Sequence, residues 1–204
     1  MKLLRRLNIG RINKKKLIAG SVFLVVVLAA ITIGLILKHR TGSKNTAQVD
    51  STSTKTTAEI PPEVKAFGLK IDRISLLAPV VKDVDGNDKD QYLKELVKGL
   101  AHFKGTALPG EVGNLFIFGH SSSAVGQGAY SEIFAKLNDL EKDDKMTVYY
   151  QSKEFTYIVT SKKVVEKDDL TVLNPTPKPT LTLMTCWPIG TNLKRLIVTA
   201  KLNN

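Results

Sequence analysis

The stretch "TLTLMTCWPIGTNLKRLIVTA", Thr180 to Ala200, carries the only cysteine of the 204-residue chain, Cys186, nine residues before Arg195. A second strand-like run, "GNLFIFGHSSS", ends in His120 and a serine cluster. These residue types suit acyl chemistry: a thiolate attacks a carbonyl, an imidazole carries a proton, and a guanidinium steadies negative charge on the oxygen. The same residues also fit a buried cysteine, a capping histidine and a surface arginine. Spacing does not choose between these readings, because Cys and His partners meet in space rather than along the chain. Of the other histidines, His39 borders an apolar run, and His102 in "GLAHFKGTALPGE" sits beside Phe103 in a loop-like stretch and reads as structural.

Such a trio needs a rigid frame, and the sequence supplies strands. Short runs rich in Val, Ile, Leu, Tyr and Thr, separated by Gly, Asp, Asn and Pro clusters, predict a mainly β domain. Seven strands are expected: Phe67 to Ile71, Leu76 to Val81, Asn114 to Gly119, Lys145 to Gln151, Glu154 to Val165, Thr180 to Cys186 and Lys194 to Leu202. The run Val148 to Thr160 reads as a hairpin turning at Gln151 to Lys153. Helical spacing places Tyr92, Leu93, Leu96 and Leu100 on one side of a first helix, and Ile133, Phe134, Leu137 and Leu140 on one side of a second. His120 and Cys186 each stand where a strand gives way to irregular chain, and Arg195 opens the strand after the cysteine. A loop leaving one strand and entering its neighbour brings thiol and guanidinium to one end of a sheet.

The acidic stretch "DVDGNDKD", Asp83 to Asp90, is not an EF-hand, since Gly86 is fourth rather than sixth and Lys94 occupies the twelfth position. It reads instead as an Asp-Gly turn entering a helix. No other ligand cluster is evident, so the chemistry is expected to need no metal and no organic cofactor.

Ahead of the domain, Leu17 to Leu37 forms a 21-residue run without a charge. At 1.5 Å per residue this length spans a hydrocarbon core of about 30 Å, so it is expected to be a transmembrane helix. A cleaved signal peptide is the competing reading, but its apolar region is shorter and ends in small residues. Seven basic residues precede the run (Lys2, Arg5, Arg6, Arg11, Lys14, Lys15 and Lys16), against Lys38, Arg40, Lys44 and Lys55 after it. The positive-inside rule puts residues 1–16 in the cytoplasm and the remainder outside. Thr41 to Pro62 is rich in Ser, Thr and Lys and lacks aromatic residues, so residues 38–62 are expected to be a disordered tether. Residues 63–204 form one extracellular domain.

Eleven of the 30 basic and two of the 19 acidic residues precede residue 63, which leaves 19 against 17, a net of +2, in the domain. The formal +11 of the whole chain belongs mostly to the anchor and tether. Interspersed, nearly balanced charge excludes nucleic acid as the partner. One cysteine outside the cell also excludes an intramolecular disulfide, so Cys186 is buried and inert, paired between molecules, or reactive.

The ordered motifs "GNLFIFGH", "TLMTC" and, nine residues on from the cysteine, the Arg of "KRLIV" resemble the sortase family of membrane-anchored cysteine transpeptidases. So do "AHFKGTALPGEVGN", "FAKLNDL" and "DDLTVLNP", and the likeness covers residues 67 to 202. It implies a closed eight-stranded β-barrel with short helices, one strand more than the seven expected above. It implies Cys186 as the nucleophile that cuts a sorting-signal peptide and holds it as a thioester, and His120 as the acid for the leaving amine and the base for the incoming one. Arg195 would position substrate and stabilise the oxyanion. Thr185 is a candidate for assisting the oxyanion or the substrate backbone, against the plain reading of a β-branched strand residue. Glu166 to Pro179 would shape the peptide groove, and Trp187 would lie against substrate or seal its loop.

The partners implied are surface proteins bearing an LPXTG-like signal and an amine acceptor, from a peptidoglycan precursor or a pilin lysine. Residues 38–66 lack the Asp-Pro-aromatic lid element of many pilin-polymerising sortases, and no second hydrophobic segment precedes "KLNN", so surface anchoring is expected over pilus assembly. A hydrolytic cysteine peptidase and a non-catalytic wall-binding scaffold stay open as alternatives.

Overall fold

The computed structural model describes residues 59–124 and 126–203. The expected membrane span, the cytoplasmic segment and nearly all of the tether lie outside them. Among the described residues no helix is long and apolar enough to cross a membrane.

Eight strands close into a barrel: β1 (Phe67–Ile71), β2 (Leu76–Val84), β3 (Leu100–Phe103), β4 (Asn114–Phe118), β5 (Lys145–Tyr150), β6 (Lys153–Glu166), β7 (Thr180–Trp187) and β8 (Lys194–Leu202). Around the barrel their order is β1, β2, β3, β4, β7, β8, β6, β5, with β5 returning to β1. Two pairs are parallel, β2 with β3 and β4 with β7, and the other pairs are antiparallel. Period-2 alternation sends Leu115, Ile117, Leu181, Leu183, Leu196, Val198 and Ala200 into the barrel, where they join Leu69, Ile71, Met146, Val148 and Tyr157 in one buried cluster. Alternate residues face outward, and on one side Phe116, Phe118, Ala101, Val84 and Leu96 make a second buried cluster.

That second cluster exists because one helix and a long connection cover part of the outer face. Helix α1 (Pro62–Ala66) leads into β1, and α2 (Lys89–Leu96) supplies the crossover that a parallel β2–β3 pair requires. The turn before α2 matches the Asp-Gly expectation: Asp85 Oδ1 accepts from Asn87 N–H, and Asp88 caps the helix by accepting from Gln91 N–H at 3.0 Å.

Three expectations need correction. The first helix was expected to run on to Leu100, but it stops at Leu96, and Leu100 begins β3, the strand absent from the expected seven. A Cβ on Gly99 would collide with the Pro79 carbonyl, so the chain there passes against β2 as only glycine can. His102 therefore sits on β3 rather than in a loop, fully buried, with its ring 5.9 Å from that of Phe67. Its Nδ1 accepts from Asp83 N–H at 3.2 Å, and its Nε2 lies 2.9 Å from Thr106 Oγ1, which fits the structural role expected for it.

The second helix is instead a chain of turns ending in a 3-10 turn at Leu137–Asp139. Phe134, Leu137 and Leu140 are buried while Ile133 is not, a spacing of three that suits 3-10 geometry. The hairpin is as expected but tighter: Tyr150 pairs with Lys153 around Gln151 and Ser152, with φ of 51° and 62°. Both are non-glycine residues in the left-handed region, held there by Gln151 N–H to Ala66 O and Ser152 N–H to Lys65 O.

Candidate active site

Barrel topology brings the three sequence candidates to one end of one face. Strand β7 lies between β4 and β8. Because β4 runs parallel to β7, with Phe118 opposite Met184, the residues that follow β4 emerge at the end of β7 that carries the cysteine. Because β8 runs antiparallel to β7, its first residues start at that same end, and Cys186 is the direct partner of Arg195. Directly opposed residues have Cβ atoms about 4.5–5.5 Å apart.

Alternation then settles the face. Cys186 shares the outward side of β7 with Met184, whereas Leu181 and Leu183 point inward. Arg195 alternates with the inward-facing Leu196, and His120 continues the outward parity of Phe116 and Phe118. All three line a groove of about 520 Å³. Its floor is Phe116, Phe118 and Met184; Tyr92, Leu93 and Leu96 of α2 form one wall, and Lys167, Asp169, Leu170, Val172 and Leu173 of the β6–β7 connection form another. The expectation that this connection shapes the groove is met.

His120 is 7% exposed and its backbone is fixed, since its carbonyl accepts from Phe134 N–H at 2.9 Å. The run of turns that replaces the second helix thus anchors the histidine. Gly126 packs flat on the imidazole, where an added Cβ would stand 2.6 Å from Cγ. No group among the described residues hydrogen-bonds the ring nitrogens.

Thr185 is 3% exposed and donates its hydroxyl proton to Gly119 O at 2.8 Å, while Gly119 N–H donates to Met184 O. The two bonds lock the histidine strand to the cysteine strand. Trp187, one residue beyond the cysteine and on the other side of β7, packs half-buried on the barrel core.

Arg195 is held edgewise. Its Nη1 donates to Asn192 O at 3.1 Å and Lys194 O at 2.9 Å, and Nε and Nη2 make no hydrogen bond among the described residues. Lys194 pairs with Glu166 at 2.9 Å and closes the same end of the β6–β8 ladder.

Burial pushes the Cys186 thiol up from its ordinary 9.0, an effect the Arg195 charge opposes. Burial alone pushes His120 down from 6.5. Both shifts favour the uncharged forms, thiol and imidazole.

The Sortase domain family model matches residues 69–203, essentially the whole barrel. The chain belongs to the sortase family. This sortase is 30% identical over 170 residues to Sortase D of Bacillus subtilis (strain 168), which covers 80% of this chain and 76% of that one. It is 28% identical over 167 residues to Sortase A of Bacillus anthracis, covering 81% and 73%. Among solved structures, a Sortase D5 transpeptidase of Clostridium perfringens superimposes with a TM-score of 0.56 at 28% identity, covering 68% of this chain and 79% of that one. Sortase A of Corynebacterium diphtheriae gives 0.57 at 31%, covering 72% and 63%. Sortases are cysteine transpeptidases, so the chain is an enzyme of that kind. Relatives named as sortases A and D appear together, which leaves the subclass to function.

Sequence reasoning named the three polar residues and the connection that walls one side, but missed the α2 wall and the individual lining residues. Tyr92, Leu93 and Leu96 looked like a helix stripe turned to the core, and their spacing does not reveal that a groove opens beside it. Val172 and Leu173 sit in a connection without periodicity, so nothing in the sequence marks them as lining residues.

Proposed function

We propose that this sortase cuts an LPXTG-like sorting signal between Thr and Gly and passes the acyl group to a cell-wall or protein amine. The observation that carries this is the meeting of Cys186, His120 and Arg195 at one end of a peptide-sized groove. Cys186 is the only thiol in the sequence, so a cysteine transpeptidase has no other nucleophile to use. Cys186 hands its proton to His120 and attacks the Thr carbonyl carbon; His120 then protonates the departing Gly amine, leaving a thioester on Sγ. An incoming amine gives its proton back to His120 and displaces the thiolate. Thr185 keeps the two strands in step and offers its hydroxyl oxygen at the groove. Residues 17–37 anchor the enzyme in the membrane and residues 38–62 tether the barrel outside, as the hydropathy and basic flank suggest.

Mixing the full chain in detergent with a pool of LPXTG-type peptides and excess triglycine, with products read by mass spectrometry, tests the reading. Amine-ligated peptide is the expected product. Cleaved acid alone would move the enzyme to the hydrolytic peptidases, and absence of both product and covalent adduct would favour a scaffold.

The edgewise hold on Arg195 makes a further expectation. The Nη1 bonds to Asn192 and Lys194 fix the guanidinium plane and leave Nε and Nη2 for a carbonyl or oxyanion. A lysine ammonium is a point charge that cannot keep both engagements. Arg195→Lys is therefore expected to lower kcat/KM about 10²- to 10³-fold, the scale of losing an oxyanion donor. Wild-type rates in this variant would remove Arg195 from the mechanism.

The pH profile follows from the two shifts. Thiol with imidazole and thiolate with imidazolium hold the same number of protons, so activity changes only when the pair as a whole gains or loses one. On the acid side the pair gains a proton below an apparent value under 6.5, because His120 is lowered; on the alkaline side it loses one above 9.0, because Cys186 is raised. A kcat/KM plateau spanning pH 6.5 to 9.0 is expected. A narrow bell inside that window would contradict both shifts.

A further inference from the structure

We infer that Asn114, at the far end of the barrel from the cysteine, is a positioning residue that holds the wall of the peptide groove. The substrate part of this inference rests on the transpeptidase reading above. After β6 ends at Glu166 beside Lys194, the chain must return the full length of β7 to reach Thr180. At about 3.3 Å per residue that is about 23 Å. The returning segment lies along the outer cluster and contains a 3-10 turn, Leu170–Leu173, whose Val172 and Leu173 pack on that cluster and line the groove.

Little else ties this wall down. Along most of its length its other hydrogen bonds are internal: Asp169 Oδ1 accepts from Thr171 N–H, Asn174 N–H donates to Thr171 O, and Thr176 Oγ1 donates to Lys178 O. Where the segment enters β7, Thr180 Oγ1 donates to Lys178 O at 2.9 Å and Leu202 N–H to Pro179 O at 3.2 Å; among the described residues, the only other hydrogen bonds from residues 170–179 to the barrel come from one side chain. Asn114 Nδ2 donates to Val172 O at 2.9 Å and to Asn174 O at 3.2 Å. Carbonyls at the end of a helical turn have no partner within it, and the amide supplies both from the barrel.

Asn114 is 4% exposed, and its Oδ1 is buried with no partner. An orphaned buried acceptor is unfavourable. Leucine, of similar volume, would fill the site without one, so packing does not explain an amide here. The two donated bonds do. They make β4 a strut with an active residue beyond one end, His120, and the wall's anchor at the other.

Two variants of the full chain in detergent test this, Asn114→Leu and Asn114→Asp, both of which lack the two donors. In each, hydrogen exchange of residues 167–179 is expected to rise at least tenfold while the thermal midpoint of the barrel stays near wild type. KM for the preferred LPXTG-type peptide is expected to rise about five- to tenfold with kcat within twofold. Alkylation of Cys186 by iodoacetamide, a reagent too small to need the wall, is expected to keep its wild-type rate. Unchanged exchange, an unchanged KM despite faster exchange, or an effect in the leucine variant alone would each overturn the strut. So would global unfolding of both variants, since it would make Asn114 part of the barrel's own stability. A wild-type enzyme that turns over no sorting peptide would defeat the proposed function instead, and the exchange measurement would still decide whether Asn114 holds the wall.

Discussion

Cys186→Ala is expected to reduce both peptide cleavage and amine ligation to the uncatalysed background. The reason is stronger than the loss of one contact. Transpeptidation needs the acyl group to wait on the enzyme while the first amine leaves and the second arrives, and only a covalent bond to Sγ provides that interval. With alanine no thioester forms, and what remains is a groove that can still bind peptide. Losses of about 10⁶-fold follow removal of a nucleophile in comparable hydrolytic sites, and here ligation should vanish altogether. Mass spectrometry of the intact chain after mixing with peptide reads the missing acyl adduct, and peptide binding by fluorescence anisotropy is expected to stay within a fewfold of wild type. Ligated product from the alanine variant would show that the thioester is not on the path.

His120→Ala is expected to lower kcat by about 10³- to 10⁴-fold, toward the upper range for a positioned acid and base. The thiol is half-buried and its pKa is raised, so without the imidazole few molecules carry a thiolate near neutral pH. The leaving amine also loses its proton source, so both chemical steps suffer. Because Gly126 and the Phe134 N–H hold the ring and backbone of His120, an alanine there leaves a gap at the groove without altering any barrel strand. Activity of the variant is expected to climb at alkaline pH, as the thiol ionises unaided, while the wild type declines there. A pH dependence identical to wild type would take His120 out of the proton path.

Much of this could be read from the chain itself. Seven of the eight strands follow from alternation and turn residues, and Cys186, His120 and Arg195 stand out because each polar group sits at the end of an apolar run. Strand β3 escaped for a physical reason. Leu100 and His102 face the barrel interior while Ala101 and Phe103 face the outer cluster, so a four-residue strand covered on both sides has no polar alternation to reveal it. The turns at 128–140 escaped because apolar spacings of three and of three-and-four look alike over so short a stretch. The parity of Phe116, Phe118 and His120 was present in the sequence, but parity alone does not say which strands are neighbours.

By itself, then, the sequence determined the β class, the uncharged apolar run at 17–37, the near-neutral charge of residues 63–204 and the residue types able to do acyl chemistry. These depend on local spacing and composition, which a linear chain carries in full. Only the tertiary structure decided that β7 lies between β4 and β8, that Cys186 faces Arg195, that the β6–β7 connection walls a groove and that Asn114 pins it. Those facts rest on strand order and on contacts between residues many positions apart. Nonlocal pairing of this kind is set by closing the barrel around one core, and no stretch of sequence encodes it alone.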